Sequence, residues 1–109
     1  MTPAPSAGPA PRTRGPVRVV GTGLLGTSIG IALSTRGVDV VLADPSPSAL
    51  ALACDLGAGR TWAQDDEEPA LVVVAAPPDV TGEVVALELA TWPRAVVTDV
   101  ASVKAGPLA

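Results

Sequence analysis

Val17-Arg18-Val19-Val20-Gly21-Thr22-Gly23-Leu24-Leu25-Gly26, followed after one helical stretch by Val38-Asp39-Val40-Val41-Leu42-Ala43-Asp44, decides how this chain folds. The first four residues are a short β-branched run, the pattern of a strand. Three glycines in the order G-x-G-x-x-G then turn the chain into a segment with helical spacing, Leu24 to Arg36, which Gly37 closes. The second β-branched run ends at Asp44, 23 residues after Gly21. Strand, glycine turn, helix, strand and terminal acid at about a 20-residue spacing is the pattern of a dinucleotide-binding βαβ unit.

Working outward, the same alternation continues. Ala70 to Ala76 (ALVVVAA) is the most apolar run and Arg94 to Val100 (RAVVTDV) is another, with a weaker strand expected at Arg60 to Ala63. Runs this apolar suit strands covered on both faces, as in a parallel sheet. The segments between them read as helices. Leu25, Ile29, Ala32 and Leu33 fall on one face of the first. Ser46 as N-cap and Pro47 at the first helical position start the second, which runs through Leu50, Ala53 and Cys54 to Gly57. Asp79 caps the third, gathering Val80, Val84 and Leu87 on one side before Trp92 and Pro93. The expected fold is α/β, a Rossmann-like doubly wound, mostly parallel sheet with helices on both faces.

The chain has 109 residues, enough for one domain. Residues 1–16 hold five of its 12 prolines and no large apolar side chain except Met1. They are expected to form a disordered Pro-rich tail, leaving 17–109 as the dinucleotide-binding domain, expected to be incomplete because it is short of a six-strand double unit. Arg12 and Arg14 make the tail +2, whereas residues 17–109 carry 5 basic and 11 acidic side chains, which argues against a nucleic-acid partner. The longest apolar run, seven residues, is far short of the roughly 20 that span a bilayer. A single cysteine, Cys54, and the lack of a signal-peptide pattern point to a reducing, cytoplasmic setting. His is absent altogether, so these residues offer no His base and no His-ligated metal.

Each position of the glycine turn has a physical task if a dinucleotide binds. Gly21 permits the tight turn, Gly23 lets a pyrophosphate approach the backbone, and Gly26 and Gly30 let the helix pack closely. The free N–H groups of Leu24 and Leu25, at the positive end of the helix dipole, are the expected donors to the anion. The competing reading is an ordinary glycine-rich turn. Asp44 can accept hydrogen bonds from the adenosine ribose hydroxyls, or it can simply cap the turn before Pro45. No Arg or Lys among Pro45 to Ser48 is available for a 2′-phosphate, so NAD is favoured over NADP. Ala76 and Pro77, leaving the third strong strand, form a rigid wall beside the cofactor. Ser102 reads as a helix N-cap, Lys104 as a surface charge and Asp99 as a partner for backbone donors. The run Asp65 to Glu68 reads as a solvated connection, with no metal site, and Cys54 as a small core residue.

Taken together, VVGTGLLGTSIGIALSTRGVDVVLADPSP, LVVVAAPPDV and VVTDVASVK resemble the nucleotide-binding half of the prephenate and arogenate dehydrogenases of tyrosine biosynthesis, over residues 17–107. The first block is common to many dehydrogenases, and Thr98 to Lys104 (TDVASVK) is the more specific one. The resemblance implies oxidative decarboxylation: hydride passes from the hydroxyl-bearing ring carbon to the nicotinamide, a histidine takes the hydroxyl proton, and loss of carbon dioxide makes the ring aromatic. It also implies that Ser102 orients substrate and that histidine, and that the full-length enzyme is a dimer acting on prephenate or arogenate. The chain has no histidine, so alone it is expected to bind the dinucleotide without turnover, and its uncovered edge invites self-association. Two alternatives share the glycines and Asp44: another β-hydroxyacid-type oxidoreductase, and a nucleotide-binding module with no chemistry.

Overall fold

The computed structural model describes residues 15–100; the first 14 residues of the expected tail, and Ser102 and Lys104, lie outside them. Four strands, β1 (Val17–Val20), β2 (Val40–Ala43), β3 (Leu71–Val74) and β4 (Val96–Asp99), form one parallel sheet in the order β2-β1-β3-β4. Three helices connect them: α1 (Leu24–Thr35), α2 (Pro47–Asp55) and α3 (Pro78–Thr91). Val19 stands beside Leu42 on one side and Val73 on the other, so its face of the sheet is continuous across three strands. Beyond β2, Arg60 exchanges backbone hydrogen bonds with Val40 and Leu42, at 2.9 and 2.8 Å. The weak strand expected at 60–63 is therefore reduced to a single parallel bridge, Val41 to Arg60, on the outer edge.

The sheet is the core. Val19, Val41, Val72 and Val74 are fully buried, each worth about 1.5 kcal/mol or more in apolar burial. Val17, Val19, Val40, Leu42 and Val73 cluster with Ala53 and Ala58, and Ile29, Leu33, Leu50 and Cys54 pack onto that cluster. Thus α1 and α2 cover one face. The other face takes α3, tied to β1 by the Arg18 and Glu88 side chains. Reversal of winding between β1 and β3 gives the doubly wound arrangement expected, and opens a crevice at the carboxyl ends of those strands.

Two helices meet the sheet by faces other than those the apolar spacing predicts. In α1, Leu25 and Ala32 are exposed, and the buried positions are Gly26 and Gly30, flanked by Ile29 and Leu33. A Cβ on Gly26 would sit 3.3 Å from the Ala75 Cβ and overlap the Gly21 carbonyl, and one on Gly30 would overlap the Ala58 carbonyl oxygen. Close approach through glycines rotates the helix away from its larger residues. In α3, Leu87 is 63% exposed and Val80 is also exposed, while the polar Glu88 is buried. The helix also starts one residue before the expected cap. Pro77 occupies the N-cap position, and Asp79 lies in the first turn, where its charge favours the helix dipole.

Glu88 is buried because its carboxylate is fully engaged. Arg18 Nε donates to Oε1 at 2.8 Å, Arg18 Nη2 to Oε2 at 3.2 Å, and Trp92 Nε1 to Oε1 at 3.0 Å. The Arg18 guanidinium lies 5.6 Å from the Trp92 ring centre, and Trp92 meets Trp62 at 5.2 Å between centroids. In the acidic run, Asp65, Glu67 and Glu68 are exposed, as the sequence suggests, and Asp66 departs from that reading. Asp66 pairs with Arg60 at 2.7 Å, and Arg60 also binds Asp39 at 2.9 Å. That pairing holds the Asp66 carboxyl below its ordinary range and raises the Arg60 guanidinium.

Candidate functional site

The ladder of the sheet runs one residue past β1 and β3. The Gly21 N–H donates to the Ala43 carbonyl at 2.7 Å, and the Ala75 N–H to the Val20 carbonyl at 2.8 Å. Gly21 then turns with φ of 102°, a conformation that side-chain-bearing residues rarely adopt. The three chain ends Gly21, Asp44 and Ala76 are thereby fixed side by side. They border a cavity of about 600 Å³ whose lining also includes Gly23, Leu24, Leu25, Pro45 and Pro77. Every candidate site residue within the described range except Gly26 lines this cavity. Gly26 lies beneath it, packed on the Gly21 carbonyl.

The α1 N-terminus at the cavity has no cap of its own. Gly23 is the N-cap in extended conformation, no side-chain cap hydrogen bond is made among the described residues, and the first turn holds no acidic residue. The first intrahelical donor is the N–H of Thr27, to the Gly23 carbonyl at 2.9 Å, so the N–H groups of Leu24 and Leu25 have no acceptor within the helix. α2 differs, since there the Ser46 hydroxyl accepts from the Ala49 N–H at 3.2 Å. At Gly23 a Cβ would meet no atom of the described residues within 4 Å. Among the described residues, neither packing nor backbone angle requires glycine at this position.

Asp44 caps the turn that follows it, as one reading of the sequence expects, and also reaches across to β1. Its Oδ1 accepts from the Ser46 N–H at 2.8 Å, closing the turn before α2. Its Oδ2 accepts from the Thr22 N–H at 2.7 Å and from the Thr22 hydroxyl at 2.8 Å, so the carboxylate bridges the ends of β1 and β2. Partial burial alone would raise the carboxyl pKa, but the Ser46 and Thr22 backbone donors and the Thr22 hydroxyl outweigh it and hold the group below its ordinary value. Asp44 is therefore an anion at neutral pH. Thr22, only 6% exposed, was not singled out by motif reading because it occupies a variable position of G-x-G-x-x-G.

Val100, just after β4, lines the same cavity. Among the described residues, no group of three or more His, Cys, Asp or Glu side chains is placed to hold a metal ion, and no helix is long and apolar enough to cross a membrane.

Comparison with known proteins agrees with this geometry. Residues 29–109 match the family model described as prephenate dehydrogenase, nucleotide-binding domain. The probable prephenate dehydrogenase NovF of Streptomyces niveus is 44% identical over 86 residues, covering 79% of this chain and 24% of NovF. A crystal structure of prephenate dehydrogenase from A. aeolicus, in complex with hydroxyphenyl propionate and NAD+, superposes with a TM-score of 0.66 at 26% identity, covering 79% of this chain and 33% of that one. This chain thus spans about a quarter to a third of the length of these relatives. Its Rossmann-like α/β fold and the match over most of its length establish that the chain belongs to the prephenate dehydrogenase nucleotide-binding domain family.

Proposed function

We propose that residues 17–109 form the NAD-binding unit of a prephenate or arogenate dehydrogenase of tyrosine biosynthesis. The observation that carries this reading is Gly23, where the described residues leave open the space a side chain would fill, at a helix N-terminus whose first N–H groups have no acceptor within the helix. The Leu24 and Leu25 N–H groups receive the pyrophosphate, Asp44 receives the adenosine ribose, and Ala76 and Pro77 bound the crevice. The A. aeolicus relative was crystallised with NAD+, which supports that dinucleotide. When bound, NAD supplies the hydride acceptor for oxidation of the substrate hydroxyl. We assign Ser102 to orienting substrate on the strength of the TDVASVK block alone.

Cofactor choice follows from charge. A 2′-phosphate would meet the Asp44 carboxylate, and Pro45 to Ser48 supply no cation to neutralise it. NADH is expected to bind the full chain more tightly than NADPH by about tenfold or more, corresponding to a penalty of roughly 1.4 kcal/mol or above. Asp44→Ala should narrow that gap. Titration of both nucleotides by fluorescence tests this, and equal affinities in the unmutated chain would contradict it.

Turnover is a separate matter. Taking the hydroxyl proton requires a base, and the sequence contains no histidine. The chain alone is expected to bind NADH yet form none from NAD+ with prephenate or arogenate, followed by absorbance. Formation of NADH from either substrate would mean that another side chain takes the proton.

A further inference from the structure

We propose that Thr22 is a positioning residue for dinucleotide selectivity, acting through Asp44 without touching the ligand. This rests on the reading of Asp44 as the ribose acceptor. A carboxylate offers about four acceptor sites, two on each oxygen. Among the described residues Oδ2 takes two donors, both from Thr22, and Oδ1 takes one, from Ser46. The remaining acceptor capacity is thus concentrated on Oδ1, and a ribose hydroxyl finds a carboxylate that is already oriented.

Thr22 is suited to this task by its own restraints. Its side chain is buried and is absent from the cavity lining. Its carbonyl accepts from the Thr27 hydroxyl at 3.0 Å, which ties the turn to α1. A β-branched side chain has few rotamers, so little freedom is lost in holding the hydroxyl on Asp44. The Thr22 N–H bond persists whatever the side chain, so a substitution removes one defined donor. Without that hydroxyl, the Oδ2 side of the carboxylate loses half of its anchoring, and the charge that discriminates ribose from ribose 2′-phosphate is no longer fixed in place.

The test uses the full chain with NADH and NADPH as probes. Thr22→Val, which replaces the hydroxyl by a methyl, should weaken NADH by about fivefold, the size of one ordinary hydrogen bond, and narrow the NADH-to-NADPH preference. Thr22→Ser should restore both values. Thr22→Ala provides the same hydroxyl deletion without added bulk should the valine variant fold poorly. In an Asp44→Ala background the Thr22 substitution should have no further effect on the preference, because its influence passes through that carboxylate. An unchanged preference in Thr22→Val or Thr22→Ala, in a chain whose parent prefers NADH, overturns the role of Thr22 and leaves the NAD reading intact. A parent chain that binds neither nucleotide overturns the NAD reading and this role with it.

Discussion

Gly23→Val should weaken NADH binding by about 100-fold or more while the protein stays folded. The loss corresponds to roughly 2.7 kcal/mol, the worth of one or two charge-assisted hydrogen bonds denied to the pyrophosphate by a branched side chain. The fold survives because a Cβ at this position meets no atom of the described residues within 4 Å, and φ of −72° with ψ of −161° is extended backbone that valine tolerates. Loss of a glycine N-cap costs about 1 kcal/mol at most. Gly26→Val is the informative contrast, since its Cβ would overlap the Gly21 carbonyl and be expected to disrupt the turn itself. Isothermal titration with NADH alongside thermal unfolding separates the two. Normal binding by folded Gly23→Val would mean that the pyrophosphate lies elsewhere.

These two glycines also show what could be read in advance. Gly21, Gly23, Gly26 and Asp44 lie at positions fixed by one local motif, and the motif includes the strand and helix that bring them together. Their placement at one crevice was therefore legible from sequence order alone. The Asp44 contact to Thr22 was less so, because it joins the ends of two strands and depends on a side-chain rotamer. The facing of α3 departs from its apolar spacing for a different physical reason. Apolar spacing selects Val80, Val84 and Leu87, yet the helix turns Glu88 inward. A buried carboxylate is tolerable only when its donors are present, and Arg18 and Trp92 come from a strand 70 residues earlier and from the helix end. Hydrophobic periodicity does not encode such a pairing. Arg18 within an otherwise apolar strand was the available signal, since a charge on a covered sheet face needs a partner.

That partnership sets the largest expected stability effect. Glu88→Ala should destabilise the protein by about 3 kcal/mol, a substantial part of the 5–15 kcal/mol that holds a typical domain together. The side chains of Arg18 and Glu88 are only 18% and 6% exposed, so removing the carboxylate strands a guanidinium that water reaches poorly, and also leaves the Trp92 N–H without its acceptor. The cost is mainly that of the unpaired charge, not the net worth of the pair. Replacing both partners, as in Arg18→Met with Glu88→Leu, should therefore recover most of the loss, and Glu88→Gln should fall between because an amide oxygen still accepts one hydrogen bond. Urea unfolding of the four proteins measures this. Arg18 is the second residue of β1 and points to the α3 face, whereas Gly21 follows the strand's other end, so NADH affinity of the folded variants should remain within about twofold of the parent. A double replacement as unstable as Glu88→Ala would show that the ion pair itself, not the avoidance of an orphaned charge, holds α3 on the sheet.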